Sequence, residues 1–542
     1  MPTLNWIGKD AVINHHQKVL FRTLDEKYTF TADGRDASNA SAEKSENKII
    51  HGDNLEALKA LLPEYEGRIK CIYIDPPYNT GNENWVYNDN VNSPRIRKWL
   101  GQVVGKEAED LTRHDKWLCM MYPRLKLLQK LLADDGAIFI SIDDNEQANL
   151  KLIANEILGA NNFIAQIIWE RAYAPVNLKK HFSESHDYIL CYAKNIDKLI
   201  CHGLPRTDDA NNRYSNPDND PRGVWKAADC SVGPVVQEKV YEIQLPSGRK
   251  VLPSRGRCWV YSKDRFNEMV LDNRIWFGSD GNSVPSVKKF LSEVKQGITP
   301  MTIWKYTEVG HSQDATKKLK EIFDGKAVFD YPKSVDLIKR CLELYSDKDS
   351  IILDSFAGSG TTAHAVLNLN QQDGGHRKFI LVEMEDYAET ITAERVRRVM
   401  NGYGASTSSA PAIKGTGGSF TFYELGETVF DENGYLNESV GIQKIREYIW
   451  YSETRVPIAV ETCHGASLQY APQHLLGNHN GTAYYFYYDP NRITTLDKAF
   501  LNNITHRAEQ YVIYADNCLL SDEFMQLNHI VFKKIPRDIK KM

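Results

Sequence analysis

Short apolar runs alternate with longer amphipathic stretches over the first third of the chain. A continuous apolar run bounded by turn residues predicts a buried strand, and apolar residues spaced by three or four predict a helix. On these criteria we predict strands at 48–51, 69–74 and 137–142, and helices at 54–62 and 117–132. Strands that alternate with helices favour a mainly parallel sheet covered by helices.

The same alternation returns after a long stretch of different texture. Residues 171–326 carry polar turn clusters between short strand-like pieces, and residues 24–46 are polar enough to predict a flexible connection. Beyond them we predict helices at 334–344 and 361–369 and strands at 350–353 and 379–382. The two alternating regions therefore belong to an α/β architecture that the central stretch interrupts.

Composition changes this picture little. The chain has 542 residues, a net charge of -5 and no long apolar run, so we expect no membrane span and no strongly basic coat for nucleic acid. The N-terminus lacks the apolar core of a signal peptide. The nine cysteines never form a C-x-x-C pair, which argues against a metal site and favours a reduced cytoplasm.

The predicted strand at 69–74 ends in Asp75, Pro76, Pro77 and Tyr78. Ligands of open α/β sheets bind at the carboxyl ends of strands, where this turn would lie. The Asp75 carboxylate and the Pro76 carbonyl can accept hydrogen bonds from an aromatic amine, and the prolines hold them in place. Tyr78 offers a flat face for a base. Four such residues are also a common stiff turn, and only their place after a strand favours chemistry.

A second candidate motif lies between the predicted strand at 350–353 and the helix at 361–369. Its glycines allow close approach of the backbone to a ligand, and the helix N-terminus presents free N–H groups. Glu383 ends the next strand, where an acidic side chain can hold two ribose hydroxyls. The motif is typical of a nucleoside cofactor site, and its candidate residues are Asp354, Phe356, Ala357, Gly358, Ser359, Gly360, Thr361, Thr362 and Glu383.

Several nucleoside cofactors fit that outline. Thr361 follows Gly360 where a P-loop requires lysine, which disfavours a nucleoside triphosphate. Ala363 stands at the third small position of the dinucleotide fingerprint, so a nicotinamide or flavin enzyme stays open on spacing alone. Asp354 is not explained by that fingerprint and suits a cofactor with a positively charged amino-acid portion, such as S-adenosylmethionine.

Taken together, the two motifs resemble those of amino-methyltransferases that act on DNA. Segments beginning at Gly52, Tyr73, Ile138, Ser185 and Tyr331 resemble the modification (Mod) subunits of type III restriction-modification systems. The catalytic motif precedes the cofactor motif, an order similar to the circularly permuted β-class. The resemblance implies a Rossmann-like α/β methyltransferase sheet, circularly permuted, with an inserted target-recognition domain and a C-terminal α+β domain.

The resemblance divides the chain into six segments. They are an N-terminal arm (1–46), the catalytic half of the methyltransferase (47–170), a target-recognition domain (171–326), the cofactor-binding half (327–402), a linker (403–419) and a C-terminal domain (420–542), for which assembly is one candidate role. In the third segment, candidates for contacts with phosphates or guanine edges are Arg213, Arg222, Arg249, Lys250, Arg255 and Arg257.

Further site residues follow from the resemblance. Lys333 and Ser334 are expected to hold the methionine end of the cofactor, and Asp75 belongs to both the catalytic and the cofactor sets. Asp53 is read as a cofactor contact, although a cap of the following helix explains it equally well. The implied partners are double-stranded DNA, a second copy of the chain and a restriction (helicase-nuclease) subunit, although an orphan enzyme stays open.

The function implied is transfer of a methyl group from S-adenosylmethionine to the N6 amine of an adenine flipped out of duplex DNA, for restriction-modification. Aspartate at position 75 favours adenine over the cytosine amine. Two other classes stay open at this point. One is a methyltransferase acting on RNA or a small molecule, and the other is a noncatalytic DNA-binding subunit.

Overall fold

The structure, a computed structural model, describes residues 3–32, 45–80, 98, 101–104, 112–206, 211–294, 297–404, 412–431, 433–456 and 474–539. Over these ranges the chain divides into two compact units. Residues 202–300 form the smaller unit, and the residues before and after them form the larger one. The smaller unit covers a shorter stretch of the chain than the predicted segment 171–326. The division into six segments remains a proposal.

The strands are short and numerous. In chain order they are β1 (Arg22–Thr31), β2 (Lys48–His51), β3 (Ile69–Ile74), β4 (Leu132–Ile142), β5 (Phe163–Glu170), β6 (His186–Ala193), β7 (Trp225–Asp229), β8 (Ser231–Val232), β9 (Ile243–Gln244), β10 (Lys250–Val251), β11 (Cys258–Trp259), β12 (Ile275–Trp276), β13 (Ser286–Phe290), β14 (Ile303–Trp304), β15 (Ile351–Asp354), β16 (Lys378–Glu383), β17 (Gly402–Tyr403), β18 (Ile413–Lys414), β19 (Ser419–Thr428), β20 (Leu475–His479), β21 (Thr482–Phe486), β22 (Thr495–Leu496), β23 (Gln510–Ala515), β24 (Asn517–Cys518) and β25 (Ile530–Lys534).

The helices cover the sheets, and none in the described ranges is both long and apolar enough to cross a bilayer. They are α1 (Lys9–Val12), α2 (His15–Lys18), α3 (Asn54–Tyr65), α4 (Arg113–Leu131), α5 (Gln147–Ala154), α6 (Lys263–Leu271), α7 (Tyr306–Val309), α8 (Ser312–Ile322), α9 (Val335–Tyr345), α10 (Thr361–Asp373), α11 (Glu394–Asn401), α12 (Ile442–Thr454), α13 (Lys498–Asn502) and α14 (Asp522–Leu527).

The larger unit is built on a mixed sheet with the strand order β1-β19-β2-β16-β15-β3-β4-β6-β5-β14. The six strands from β19 to β4 run parallel, and β6 runs antiparallel to both β4 and β5. In the centre, β15 pairs with β3, with Ile352 opposite Cys71 and Leu353 opposite Ile72. Parallel strands end at the same edge, so the loops after β2, β3, β15 and β16 meet there.

Local sequence explains these central elements. All of β3 except Lys70 is buried, as expected for a β-branched run in a parallel sheet covered on both faces. Helix α3 begins where the Asp53 carboxylate accepts hydrogen bonds from Leu55 N–H (2.8 Å) and Glu56 N–H (3.3 Å). Helix α4 begins with a capping box between Thr112 and Asp115. The predicted strands and helices on either side of the central segment are confirmed.

The expectation of a flexible connection at 24–46 is wrong for its first part, because residues 22–31 form strand β1 at the sheet edge. Strand β1 pairs with β19, and the Tyr28 ring stacks on Phe422 at 5.3 Å. Strand β1 lies at the sheet edge and carries polar side chains over much of its length, which made it resemble a loop in the sequence. Residues 33–44 lie outside the described ranges, as do 405–411 of the predicted linker, whose flanks pair as β17 and β18.

A second sheet follows in the C-terminal part of the larger unit, with the order β20-β21-β23-β25. Helix α12 packs on this sheet through an apolar cluster that includes Ile445, Tyr448 and Phe486. Strand β19 precedes both and lies in the main sheet. The C-terminal residues are therefore continuous with the main sheet through one strand.

The smaller unit contains β7, β12 and β13 in one sheet and a core around Trp259 and Phe266. Lys288 on β13 is buried and pairs with two carboxylates, Asp218 and, at 3.1 Å, Asp220. Its ammonium also lies 5.3 Å from the centre of the Trp225 ring. A buried charge is tolerated only when paired in this way.

We predict that Lys288→Met lowers the free energy of unfolding by about 3–5 kcal/mol, because Asp218 loses its cation and Asp220 keeps only its pair with Arg222. Urea unfolding followed by tryptophan fluorescence measures the loss, since Trp225 adjoins the site. Lys289→Met is the matched control on the same strand, where the side chain is exposed, and should cost less than about 0.5 kcal/mol. Equal losses in the two variants would contradict the account.

Candidate functional site

A cavity of about 330 Å³ opens at the carboxyl ends of the central parallel strands. This volume is at the lower end of the range for small-molecule sites, about 300–1,000 Å³. The cavity brings the two sequence motifs together. The predicted site residues that line it are Asp75, Pro76, Pro77, Tyr78, Lys333, Asp354, Phe356, Ala357, Gly358, Ser359, Thr361 and Glu383.

Asp75 occupies the centre of the first motif. Its Oδ2 accepts a hydrogen bond from Lys333 Nζ at 2.5 Å, whereas its Oδ1 is buried and has no hydrogen-bond partner among the described residues. The same ammonium lies 4.8 Å from the centre of the Tyr78 ring. One carboxylate oxygen is thus held by a cation, and the other is an acceptor to which no described residue donates. The predicted contact of Lys333 with the cofactor stays a prediction.

Two side chains whose contacts the sequence did not predict hold the loop after Asp75. Trp117 is buried in the core, and its indole N–H donates to the Pro77 carbonyl at 2.7 Å. Asn79 is buried with a positive φ of 57° and donates to Glu146 Oε1 at 2.5 Å. A buried indole N–H usually requires a partner, and that requirement was the available signal for Trp117.

The second motif forms a tight turn between β15 and α10. Gly358 and Gly360 have positive φ values of 51° and 78°. A Cβ on Gly358 would lie 3.1 Å from the Phe329 ring, and one on Gly360 would lie 3.0 Å from the Thr392 carbonyl oxygen. A side chain at either position would therefore strain the backbone and crowd its neighbour.

Two buried carboxylates hold this turn. Glu383 Oε2 accepts from Gly358 N–H at 2.7 Å, and Asp354 accepts from Phe356 N–H at 3.0 Å and from the Thr362 hydroxyl at 2.5 Å. Burial raises the pKa of each carboxyl to about 7. Asp354 is therefore engaged in shaping the loop, and Glu383 adjoins the glycines from the neighbouring strand.

Four predicted cofactor residues do not line the cavity: Asp53, Ser334, Gly360 and Thr362. Asp53 caps α3, and its neighbour Asn54 is the one that reaches the site. The Asn54 amide donates to the Ser355 carbonyl at 3.0 Å and accepts from the buried guanidinium of Arg124 at 2.5 Å. Asn54 and Arg124 thus brace the cofactor loop, while the predicted role of Asp53 stays a prediction.

Arg395 is a second brace that sequence reasoning missed. It is 1% exposed and donates to the hydroxyls of Ser359 at 2.8 Å and Thr361 at 2.7 Å. Burial lowers the pKa of its guanidinium to about 10, and among the described residues no carboxylate pairs with it. A buried arginine has a large desolvation cost. Helix α11 contains three arginines, and nothing in their spacing along the sequence indicated that Arg395 is the buried one.

Another carboxylate that lines the cavity is Asp187 on β6. It is 4% exposed and pairs with Arg171 Nε at 2.7 Å. Burial raises the pKa of Asp187 to about 6, while the charges of Lys333 and Arg171 oppose that rise. Trp169 also lines the cavity. In the described part of the chain, no group of three or more acidic, histidine or cysteine side chains could hold a metal ion.

Several basic candidates of the central segment are already paired. Arg222 binds Asp220 at 2.8 Å, and Arg257 binds Asp229 at 2.8 Å. Lys250 pairs with Glu242 at 2.8 Å. Arg249 donates to a backbone carbonyl, that of Asn282. Arg213 instead lines a smaller cavity with Arg206 and Lys226. The candidates for contacts with DNA thus remain predictions, with Arg222 the most engaged in folding.

The sequence profile of the DNA methylase family, N6_N4_Mtase, matches residues 69–394. This match spans both motifs and the residues between them. S-adenosylmethionine, the cofactor predicted from the sequence, is the methyl donor of this family. The resemblance noted for the two motifs is confirmed.

Individual relatives agree with the profile. The Mod subunit of the type III enzyme StyLTI from Salmonella typhimurium is 36% identical over 64% of this chain and 53% of its own length. The EcoPI Mod subunit of Escherichia phage P1 is 32% identical over 71% of this chain and 64% of its own length. The chain thus spans about half to two thirds of these Mod subunits. The type II methyltransferase M.KpnI from Klebsiella pneumoniae is 34% identical over 66% of this chain and 85% of its own length. The chain belongs to the N6/N4 DNA methylase family.

Proposed function

We propose that this chain transfers a methyl group from S-adenosylmethionine to the N6 amine of an adenine in a specific duplex DNA sequence. The observation that carries the proposal is the Asp75 carboxylate, whose buried Oδ1 accepts no hydrogen bond from the described residues and lies in the cavity that also holds the glycine turn. An acceptor of this kind has a high free-energy cost unless a donor arrives. An exocyclic amine is such a donor.

The residues around the glycine turn fit the cofactor. Gly358 has no side chain, so its backbone lines the cavity directly, and a Cβ there would crowd the Phe329 ring. Glu383 accepts N–H donors from Gly358 and Glu385, and its carboxylate has further lone pairs for two ribose hydroxyls. Phe356 and Ala357 line the same wall. When bound, S-adenosylmethionine supplies an electrophilic methyl group on a positively charged sulfur.

Asp75 and the Pro76 carbonyl would accept the two amine hydrogens and make the nitrogen lone pair available. Lys333 holds the Asp75 carboxylate in one orientation through its 2.5 Å hydrogen bond. Trp117 fixes the following peptide at Pro77, so the acceptors need little reorganisation. The Tyr78 ring offers a stacking face to a flipped base, which is worth about 1–3 kcal/mol. Direct transfer then relies on positioning, and no covalent intermediate with the protein is required.

Adenine is favoured over cytosine because position 75 is aspartate, but the family includes enzymes for both amines. The target base is therefore part of the proposal. We also propose that the chain is circularly permuted, since β3 precedes β15 in the sequence and lies beside it in the sheet. Pairing with a second copy and with a restriction subunit is proposed from the similarity to Mod subunits.

We predict that Asp75→Ala lowers the rate of methyl transfer to DNA by about 100-fold or more, because a preorganised acceptor is lost at the reacting nitrogen. Incorporation of labelled methyl groups into DNA from a methylation-free host measures the rate. Asp135→Ala is the control, since that carboxylate forms a surface pair with Lys70 at 2.7 Å. Transfer by Asp75→Ala at the wild-type rate would refute the mechanism.

For the cofactor, we expect Glu383→Gln to weaken binding of S-adenosylmethionine by about tenfold, since a charged acceptor is replaced by a neutral one. Isothermal titration calorimetry measures the affinity without DNA. Asp386→Asn is the matched control, because this carboxylate is 87% exposed and does not line the cavity. Unchanged affinity in Glu383→Gln would exclude the ribose contact.

The raised pKa of Glu383, about 7, has a consequence for the wild-type chain. Below that pH the carboxyl is protonated and loses acceptor capacity, so affinity for S-adenosylmethionine should fall as the pH drops through about 7. Calorimetric titrations at several pH values test this. The dependence should be shallower in Glu383→Gln, and equal slopes in both proteins would contradict the assignment.

A further inference from the structure

The loop between β5 and β6, residues 172–185, exposes large apolar side chains. Leu178 is 97% exposed and Phe182 is 87% exposed, and Tyr173 and Val176 are more than half exposed. Isolated exposed apolar residues are common on protein surfaces. Several within one short loop, two of them almost fully in water, indicate a surface that contacts something else.

The loop starts and ends at the catalytic cavity. Arg171 precedes it and Asp187 follows it by two positions, and both line the cavity with Asp75. These two side chains pair at 2.7 Å across the base of the loop. Leu178 and Phe182 are therefore at most seven positions along the chain from a residue that lines the cavity.

The base of the loop is well anchored. The N–H groups of Arg171 and Ala172 both donate to the Ser185 carbonyl, at 2.9 and 3.1 Å. Further out, Val176 N–H donates to the Ser183 hydroxyl at 2.8 Å. The Tyr173 ring packs 5.2 Å from His311. The apolar tip is thus presented on a held segment, which lowers the entropy cost of inserting it elsewhere.

Charge indicates the kind of partner. Lys179, Lys180 and His181 lie between the two most exposed apolar residues. Glu184 is the only acidic residue of 172–185, and it pairs with Lys179 at 2.7 Å. A tip that combines apolar and basic side chains fits a polyanion with stacked apolar surfaces inside, and duplex DNA has both properties.

We propose that Leu178 and Phe182 enter the duplex at the step from which the target base leaves and occupy the gap beside its unpaired partner. This inference rests on the proposed function, because it assumes a flipped base in the cavity. Flipping breaks stacking and pairing, and apolar wedges in DNA-binding proteins replace lost stacking contacts. The adjacent lysines would contact the backbone phosphates on either side.

The test compares two duplexes that contain the methylation site of the wild-type chain. In one the target base is normally paired, and in the other it faces an abasic position and is already unpaired. We expect Leu178→Ala/Phe182→Ala to lower kcat/KM about tenfold or more on the paired duplex. On the abasic-opposed duplex the loss should be less than about threefold, because the pairing cost has been removed.

Leu519→Ala/Leu527→Ala is the matched control, since those leucines are 76% and 81% exposed and do not line the cavity. It should methylate both duplexes at the wild-type rate. Equal losses on both duplexes by the loop variant, or no loss on either, would overturn the inference alone. A changed oligomeric state with normal rates would also overturn it and assign the loop to a protein interface. A wild-type chain that methylates neither duplex would overturn the proposed function and the wedge together.

Discussion

The parallel pairing of β3 with β15 is the constraint on which the rest of the site depends. The two strands are far apart in the sequence, yet Leu353 lies opposite Ile72 in the sheet. Because parallel strands end at one edge, the pairing places Asp75 and Asp354 in the wall of one cavity. Each of the three site elements directly follows or ends one of these neighbouring strands, so all three lie at the same sheet edge. They are the glycine turn, Glu383 and the Pro-Pro turn. A catalytic motif and a cofactor motif that are separate in sequence become one site by this single pairing.

The electrostatics of the cavity follow from that convergence. Asp75, Asp187, Asp354 and Glu383 are among seven acidic residues that line the cavity, and three basic residues line it with them: Arg124, Arg171 and Lys333. Burial raises the pKa of Asp187 to about 6 and of Glu383 to about 7, because it disfavours the ionised form of both carboxyls. A positively charged sulfonium and a neutral amine donor are suited to such surroundings. Among the basic residues of the cavity, Lys333 donates directly to Asp75 and so keeps the reacting carboxylate oriented.

The sequence predicted the central strands, both motifs and their common edge, because buried apolar runs and turn residues are local signals. It did not predict β1, whose side chains alternate as an edge strand requires and whose partner β19 lies nearly 400 positions away. It also did not predict the hydrogen bonds by which Trp117, Asn54 and Arg395 hold the two loops. Their roles depend on which buried donor finds which acceptor, and that pairing is set by tertiary packing.

The central claim is that this chain alone methylates adenine in a specific DNA sequence. Its most direct test is single-molecule sequencing of genomic DNA from a methylation-free host that expresses the chain. The account predicts N6-methyladenine at one short sequence and unmodified DNA when Asp75 is replaced by alanine. An unmodified genome in the presence of folded chain that binds S-adenosylmethionine would contradict it, and methylcytosine at such a site would contradict the assigned base.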